Sequence, residues 1–428
     1  MIKVLVIADD MTGAIEVGAK FAKHGVRALV TAGRGCAAGQ ANSSSVVLVI
    51  DTESRHVTAV EAARRVAELA GWAKAQGIEH IYKKTDSTLR GNIASELAAL
   101  LEVFPEQPLI YVPAHPSRGR TCREGGLYVE GRPVHESSFA KDPLNPVRGS
   151  SIPELLRAGG GALIVTVRDA QALRAALGAA ERPAIYVCDG ETEEDLAGTA
   201  RTLQSLGKLG LTAGPGGFAE TLAQTLALEK SSLPAPPQVR STLTVCGSVN
   251  PVSLAQARYA EGHGFAGVEI VGSKLLPYDG GARASGNEYQ TALAERISEL
   301  LKAQQHVVVR TIDAAEELPE YFKHARKAGM DQAEATTFLT RWVGGLVRRV
   351  VEESEVEGLI IFGGDTAAGI LQEDEIRPLG ELLPAIPVAS VTLCGRELCV
   401  VTKAGGFGEV EVLSAIRAAL AGNEATGA

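Results

Sequence analysis

Short, mostly apolar runs recur down this chain, each followed by a longer stretch with helical spacing, and that alternation limits the fold more than any other feature. The runs are VLVIA (4–8), RALVTA (27–32), SVVLVID (45–51), HIYKK (80–84), PLIYVPA (108–114), ALIVTV (162–167) and AIYVCD (184–189). A strand that is apolar throughout must be covered on both faces, which is the condition of a parallel strand between helical layers. Between the first two runs, GAIEVGAKFAKHG puts Ile15, Ala19 and Ala22 on one helical face and closes at Gly25, a residue suited to the position just past a helix end. A second helix is expected from Thr58 to about Gln76. The fold class is therefore α/β, with mostly parallel sheets flanked by helices.

The alternation is interrupted once. Residues 231–242, SSLPAPPQVRST, combine three prolines with serines and carry neither period, so they read as a linker between domains at 1–230 and 243–428. The pattern then restarts with STLTVCG (241–247), GVEIV (267–271), VVVRT (307–311), GLIIFG (358–363) and ELCVVTK (397–403), separated by helical stretches such as YQTALAERISELLKAQ and EATTFLTRWVGGLVRRVVEE. Two domains suit a length of 428 residues, which exceeds one ordinary core. With aromatics at 4% and 47 glycines, the cores should be Ala/Val/Leu-packed and the turns tight.

A formal net charge of −9 argues against a bulk electrostatic grip on nucleic acid or anionic lipid, so any anionic ligand must be held locally. The opening MIKVLVIADD is too short for a signal segment and reads as a first strand, and no run of about 18 apolar residues follows. The six cysteines (36, 122, 188, 246, 394 and 399) form no CxxC pair, which supports neither a zinc site nor a disulfide framework. A cytoplasmic protein with no nucleic-acid or membrane partner is expected, and a homo-oligomer is compatible with the sequence.

In open parallel sheets ligands bind beyond the carboxyl ends of the strands. Here the first strand delivers Asp9 and Asp10, the third Asp51 to Arg55, the fourth Lys84, Asp86, Ser87, Thr88 and Arg90, and the fifth His115, Arg118, Arg120 and Arg123. One of the paired aspartates should cap the following helix and leave the other free. Ser87, Thr88 or Asn92 could cap the helix that begins near Ile93, but capping does not account for Lys84, Asp86 and Arg90 together. Lysine supplies a point charge and arginine a fork for carboxylate or phosphate. HPSRGRTCR reads equally as an exposed basic loop or an anion site.

The second domain relies on glycine and hydroxyl. GLIIFGGDTAAGIL, VVTKAGGFG and CGSVNPVSLAQ each place small residues between a strand and a turn or helix, where bare amides can approach a phosphate. Pro251 suits a helix start. The GxxxxGK[ST] loop and the GxGxxG fingerprint are both missing, so neither a Walker ATPase nor a Rossmann dehydrogenase is indicated.

Taken in order, IADDMTGAIEVGAKFA, DTESRH, KKTDSTLRGN, the block from VPAHPSRGRT to NPVRGS, CGSVNP, FGGDTAAG and TKAGGFG resemble the four-carbon acid sugar kinase family, with D-threonate, D-erythronate and 3-oxo-tetronate kinases among its members. The resemblance implies ATP-dependent phosphorylation of the terminal hydroxyl of a four-carbon sugar acid, by a two-domain α/β protein with the acid on the N-terminal domain, ATP on the C-terminal one and the active site in the cleft between them. GAIEVG looks closer to the threonate branch. By motif, the acid would be held by Asp9 or Asp10, Arg55, Lys84, Asp86, Ser87, Thr88 and Arg90, with Asp10 or Asp86 as catalytic base or orienting acceptor. ATP, accompanied by Mg²⁺, would be held by Ser248 or Asn250, by Gly363, Gly364, Asp365 and Thr366, and by Gly405 and Gly406. The metal ligands are not assigned. One departure stands out: the family's GSCSxxTxxQ is here GSVNPVSLAQ, with Asn250 and Ser253 at the variant positions. A non-catalytic sugar-acid sensor is the alternative of a different class, and the three glycine turns speak against it.

Overall fold

The protein is described by a computed structural model covering residues 2–33, 45–142, 145–180, 182, 184–248, 250–275, 284–311, 317–372 and 374–422. Its chain divides into two compact units, Met1–Leu233 and Pro234–Ala428. Cys36 lies outside the described residues; the five described cysteines are free thiols.

The first unit opens with β1 (Val4–Ala8), α1 (Met11–Lys23), β2 (Ala28–Ala32), β3 (Val47–Asp51), α2 (Ala59–Ala75), β4 (His80–Lys84), α3 (Ile93–Val103) and β5 (Leu109–Tyr111). A small excursion follows, with β6 (Arg120–Arg123), β7 (Gly126–Val129) and β8 (Arg132–Pro133) as a three-stranded antiparallel sheet. The unit ends with α4 (Ile152–Arg157), β9 (Ile164–Val167), α5 (Ala170–Gly178), β10 (Ile185–Cys188), α6 (Glu193–Leu206), β11 (Leu211–Gly214) and α7 (Gly216–Thr225). Its main strands run in the order β2-β3-β1-β4-β11-β5-β10-β9, all parallel. From β1 the chain winds out to β2, returns through β3, and then crosses to β4 on the other side. The carboxyl ends of β3, β1 and β4 therefore meet at the point where the winding reverses, the usual ligand position of such sheets.

The second unit comprises β12 (Thr242–Cys246), α8 (Pro251–Glu261), β13 (Ala266–Glu269), α9 (Ala284–Gln304), β14 (His306–Arg310), α10 (Glu317–Lys327), α11 (Gln332–Glu353), β15 (Gly358–Phe362), α12 (Gly364–Leu371), β16 (Ile376–Leu383), β17 (Ile386–Leu393), β18 (Arg396–Lys403) and α13 (Val412–Leu420). The order is β13-β14-β12-β15-β18-β17-β16, parallel from β13 to β18 and antiparallel beyond. Here the winding reverses between β12 and β15.

The expected α/β class and mostly parallel sheets hold. Two antiparallel pieces went unread. β16 carries Pro378 and register shifts at Pro378/Gly380 and Glu381/Leu383, and β17 carries Pro387, so prolines that ordinarily exclude a strand sit at bulges and strand starts. The residues after His115, read equally as an exposed basic loop or an anion site, enter β6 because the backbones of His115 and Arg120 close a tight bridge.

Two glycines set the position of α12, the helix that follows β15. A Cβ at Gly344 of α11 would collide with the Gly369 carbonyl of α12, and one at Gly369 would meet the Thr340 carbonyl. The two helices touch backbone to backbone. Gly344→Ala should therefore force them apart and cost about 1–3 kcal/mol of stability, read as a lower denaturant midpoint; an unchanged midpoint would contradict the close approach.

Candidate functional site

In the first unit, Arg55 joins three strand ends. Its Nε donates to Asp9 Oδ2 at 2.8 Å and its Nη1 to Asp10 Oδ2 at 2.7 Å, both beyond β1, while Nη2 stands 3.7 Å from Asp86 Oδ2, beyond β4. All four side chains are largely buried. Asp10 is the residue that caps α1, accepting from the Gly13 amide at 3.0 Å. The companion aspartate is not left free as expected, because Asp9 is bound to Arg55. Even so, Asp9 Oδ1 and Thr12 Oγ1 are buried without a hydrogen-bond partner.

Beyond β4 the chain forms a loop built on Asp86. Its Oδ1 accepts from the Thr88 amide at 2.9 Å, from the Thr88 hydroxyl and from Arg90 Nε at 3.1 Å, and its Oδ2 accepts from Arg90 Nη2 at 2.7 Å. Arg90 also reaches Asp142 at 3.2 Å, and Ser87 is half-buried on the loop. Lys84 Nζ donates to the Thr85 carbonyl at 2.9 Å and stands 3.9 Å from Glu16. Its ammonium lies over the first turn of α1, where a Cβ on Gly13 would come within 2.6 Å of it. A side chain at position 13 would therefore displace the Lys84 ammonium from this place. Asn92 occupies the N-cap position of α3 without capping it, and its side-chain amide instead donates to the carbonyls of Ser54 and Val57 at 2.8 and 2.9 Å.

Beneath these groups lies a buried layer that the sequence reading missed. Lys83 and Glu96, 0% and 1% exposed, pair at 3.1 Å, Ser54 donates to Glu96, and the Ser54 and Thr52 hydroxyls are 2.7 Å apart. Glu16 is shared between Arg118, at 3.1 Å, and Lys84. Glu16 and Glu96 sit within helical stretches, where nothing in the pattern separates a buried acid from an exposed one.

These surroundings separate the three aspartates electrostatically. Burial raises the Asp10 carboxyl, and the charges of Asp9 and Asp86 add to the rise, so it holds its proton more tightly than an ordinary aspartate. Burial acts the same way on Asp9, but Arg55, Lys83 and Lys84 outweigh it and keep that carboxyl ionised. Asp86 is driven well below the carboxylate range because Arg90 and Arg55 overcome its burial.

In the second unit the turns after β12, β15 and β18 are neighbours because the strands are. Gly363 has φ 107°, a conformation open to glycine, and Gly364, Asp365 and Thr366 form the first turn of α12. A Cβ on Gly247 would collide with the Thr366 hydroxyl; one on Gly405 would lie 2.8 Å from Ser248 Oγ, and one on Gly406 3.0 Å from Asn250 Nδ2. The glycines therefore let the three turns interlock as well as leaving amides bare. Asn250 caps α8 through the Val252 amide at 3.0 Å, and its own amide approaches Ser248 Oγ at 3.3 Å. Lys403, fully buried at the end of β18, lies between the rings of Phe362 and Phe407 at 4.8 and 4.6 Å. Gln256 of α8 donates to the carbonyls of Phe407, Gly408 and Glu409 at 3.1, 2.8 and 2.9 Å. Lys403 and Gln256 hold the 404–408 turn in place, and neither was singled out from the sequence.

Residues 4–222 match the family described as a sugar-binding N-terminal domain, and residues 243–413 the one described as a nucleotide-binding C-terminal domain. The chain is 31% identical to the D-threonate kinase of Salmonella typhimurium over 96% of each chain. It belongs to the four-carbon acid sugar kinase family. Another member it resembles is the D-erythronate kinase of Heliobacterium modesticaldum, at 29% identity over 89% of each chain. A crystal structure of a Salmonella typhimurium LT2 protein shares the fold, with a TM-score of 0.76 at 23% identity over 98% of this chain and 99% of that one. Within this family frame, Arg55 and its aspartates lie in the sugar-binding domain and the interlocked glycine turns in the nucleotide-binding domain. Among the described residues no group of three or more His, Cys, Asp or Glu is placed to hold a metal ion, and no described helix is long and apolar enough to cross a membrane.

His115, just before the bridge into β6, is buried, and burial pushes its pKa down to about 3. An imidazole neutral in the fold but near 6.5 when unfolded means that the unfolded chain binds more protons in this range. The stability it contributes is complete above about pH 6.5 and is lost as pH falls toward 3, by at most about 1.4 kcal/mol per pH unit. His115→Gln should flatten the fall in denaturation midpoint between pH 6.5 and 4; an identical pH profile would mean that His115 is accessible to protons in the fold.

Proposed function

We propose that this protein is an ATP-dependent kinase that phosphorylates the 4-hydroxyl of a four-carbon sugar acid, with D-threonate as its substrate. The observation that carries the reading is the set Asp9, Asp10, Arg55 and Asp86 at one sheet edge of a sugar-binding domain, with the acceptor Asp9 Oδ1 unpartnered. Full-length relatedness to a D-threonate kinase supports the choice of acid.

The residues of the second unit fit a polyphosphate, since Gly363 to Thr366, Gly405 and Gly406 present bare amides beside the Ser248 hydroxyl and Asn250. ATP with Mg²⁺ supplies the phosphoryl group and the charge neutralisation such a transfer needs. The chain's own work is positioning. Arg55 holds Asp9 and Asp10 so that their carboxylates converge on the sugar hydroxyls, and Asp86 shapes the loop that presents Ser87, Thr88 and Lys84. Asp10, with its raised pKa, is the better proton acceptor for the attacking hydroxyl, because a base works best when its pKa lies nearer the working pH.

Asp10→Asn keeps an oxygen for the Gly13 amide and should fold normally, yet its kcat should fall roughly 100-fold or more. A variant that turns over at the wild-type rate would remove Asp10 from the chemistry. ATP consumption should be measured with D-threonate, L-threonate, D-erythronate and 3-oxo-tetronate; a preference for one of the others would reassign the acid, and no turnover with any would leave a sensor as the better reading. Gly364→Val, at the start of α12, should raise KM for ATP far more than KM for the acid. Equal effects on both would contradict the division of labour between the units.

A further inference from the structure

A four-carbon sugar acid carries a carboxylate, and most cations near Arg55 are already committed. Arg55 itself faces Asp9, Asp10 and Asp86 at 2.8, 2.7 and 3.7 Å. Arg90 pairs with Asp86 and Asp142 at 2.7 and 3.2 Å, and Lys83 with Glu96 at 3.1 Å. Arg118 and Lys84 share Glu16 at 3.1 and 3.9 Å. A substrate carboxylate arriving at Arg55 would meet three aspartates as well.

Arg120 differs from all of these. It is only 9% exposed, yet among the described residues it forms no ion pair. One terminal nitrogen donates to the Arg118 carbonyl, and Nε is buried with no hydrogen-bond partner. Its backbone is pinned as the first residue of β6, with the His115 amide donating to its carbonyl at 2.8 Å and its own amide to the His115 carbonyl at 3.1 Å. The guanidinium lies 6.0 Å from the centre of the Phe139 ring, and the same ring carries Arg90 at 5.3 Å. Phe139 thus packs against both Arg120 and Arg90, the residue that holds the Asp86 loop, and the Asp86 carboxylate lies close enough to act on Arg120 electrostatically. Burying a cation without a counter-ion is costly, and an anionic ligand offsets that cost. Burial and the nearby charge of Arg118 loosen its proton relative to an ordinary guanidinium, outweighing the pull of Asp86, Glu130 and Glu16, none of which pairs with it among the described residues.

We propose that Arg120 is the receptor for the carboxylate of the sugar acid, binding it through Nε and a terminal nitrogen in the two-pronged geometry that guanidinium and carboxylate favour. The assignment rests on the sugar-acid kinase reading and adds the group that tells an acid from a neutral polyol. Arg55 then acts as the organiser of the aspartates, which sort the hydroxyls at the other end of the substrate.

The test compares wild-type protein, Arg120→Gln and Arg120→Lys, with D-threonate and D-threitol as acceptors. Arg120→Gln should raise KM for D-threonate about 100-fold or more and leave KM for ATP within about twofold. The preference for threonate over threitol in kcat/KM should collapse with it, because a site built around a charged partner rejects the analogue that lacks it. Arg120→Lys, which keeps the charge and loses the fork, should recover part of the loss and covers the case in which the glutamine variant fails to fold. Thermal melting of Arg120→Gln should be no lower than wild type, since a buried cation with no ion-pair partner is removed. Wild-type KM for D-threonate in both variants would overturn the assignment while leaving the kinase reading intact. Failure of the wild-type protein to phosphorylate any tetronate would overturn both.

Discussion

The first unit is organised by one guanidinium that holds carboxylates from two strand ends. Arg55 arrives on the chain leaving β3, takes Asp9 and Asp10 at the end of β1, and stands against Asp86 beyond β4. Three buried aspartates so close together would repel one another strongly, and their burial alone would raise all three. With Arg55 at the centre, and Lys83, Lys84 and Arg90 around it, Asp9 and Asp86 are held ionised while Asp10 is left raised. Similar side chains acquire different proton affinities from position alone, and that difference makes one of them the better acceptor.

The support beneath this cluster is polar and buried. The Lys83–Glu96 pair is fully buried and its acid accepts from Ser54, in the segment that leads directly to Arg55. A buried ion pair contributes little net stability, but breaking it leaves an uncompensated charge, so such pairs act as registers for the backbone that carries them. The second unit solves a comparable problem without charge. There, glycines at 247, 405 and 406 admit the side chains of Thr366, Ser248 and Asn250 into space a Cβ would fill, and α12 is seated by the Gly344 and Gly369 contact with α11. One unit positions its groups by ion pairs, the other by steric omission.

Much of this was legible in the chain. The apolar runs located nearly all the parallel strands, and the residues following β1, β3 and β4 were recognisable as a group because strand ends in such sheets converge. Pro251 at the start of α8 and Thr58 at the cap of α2 followed from local rules. The proline-bearing hairpin of β16 and β17 was not legible, since its prolines are tolerated only through bulges and strand starts. The same holds for β6, whose bridge between His115 and Arg120 is a backbone contact that no side-chain pattern announces.

The sequence by itself determined the α/β class, the alternation that builds the mostly parallel strands of each unit, and the chemical types gathered at their carboxyl ends. Those features depend on period and on neighbours a few residues away, and both can be read along a line. Only the tertiary structure decided which cations are spent and which are not. Arg55, Arg90, Arg118 and Arg120 are alike on paper, and apart from Asp86 beside Arg90 the partners that distinguish them lie tens of residues off. Burial and ion pairing are properties of the folded environment, so the difference between a committed arginine and a waiting one exists only after the chain has closed around it.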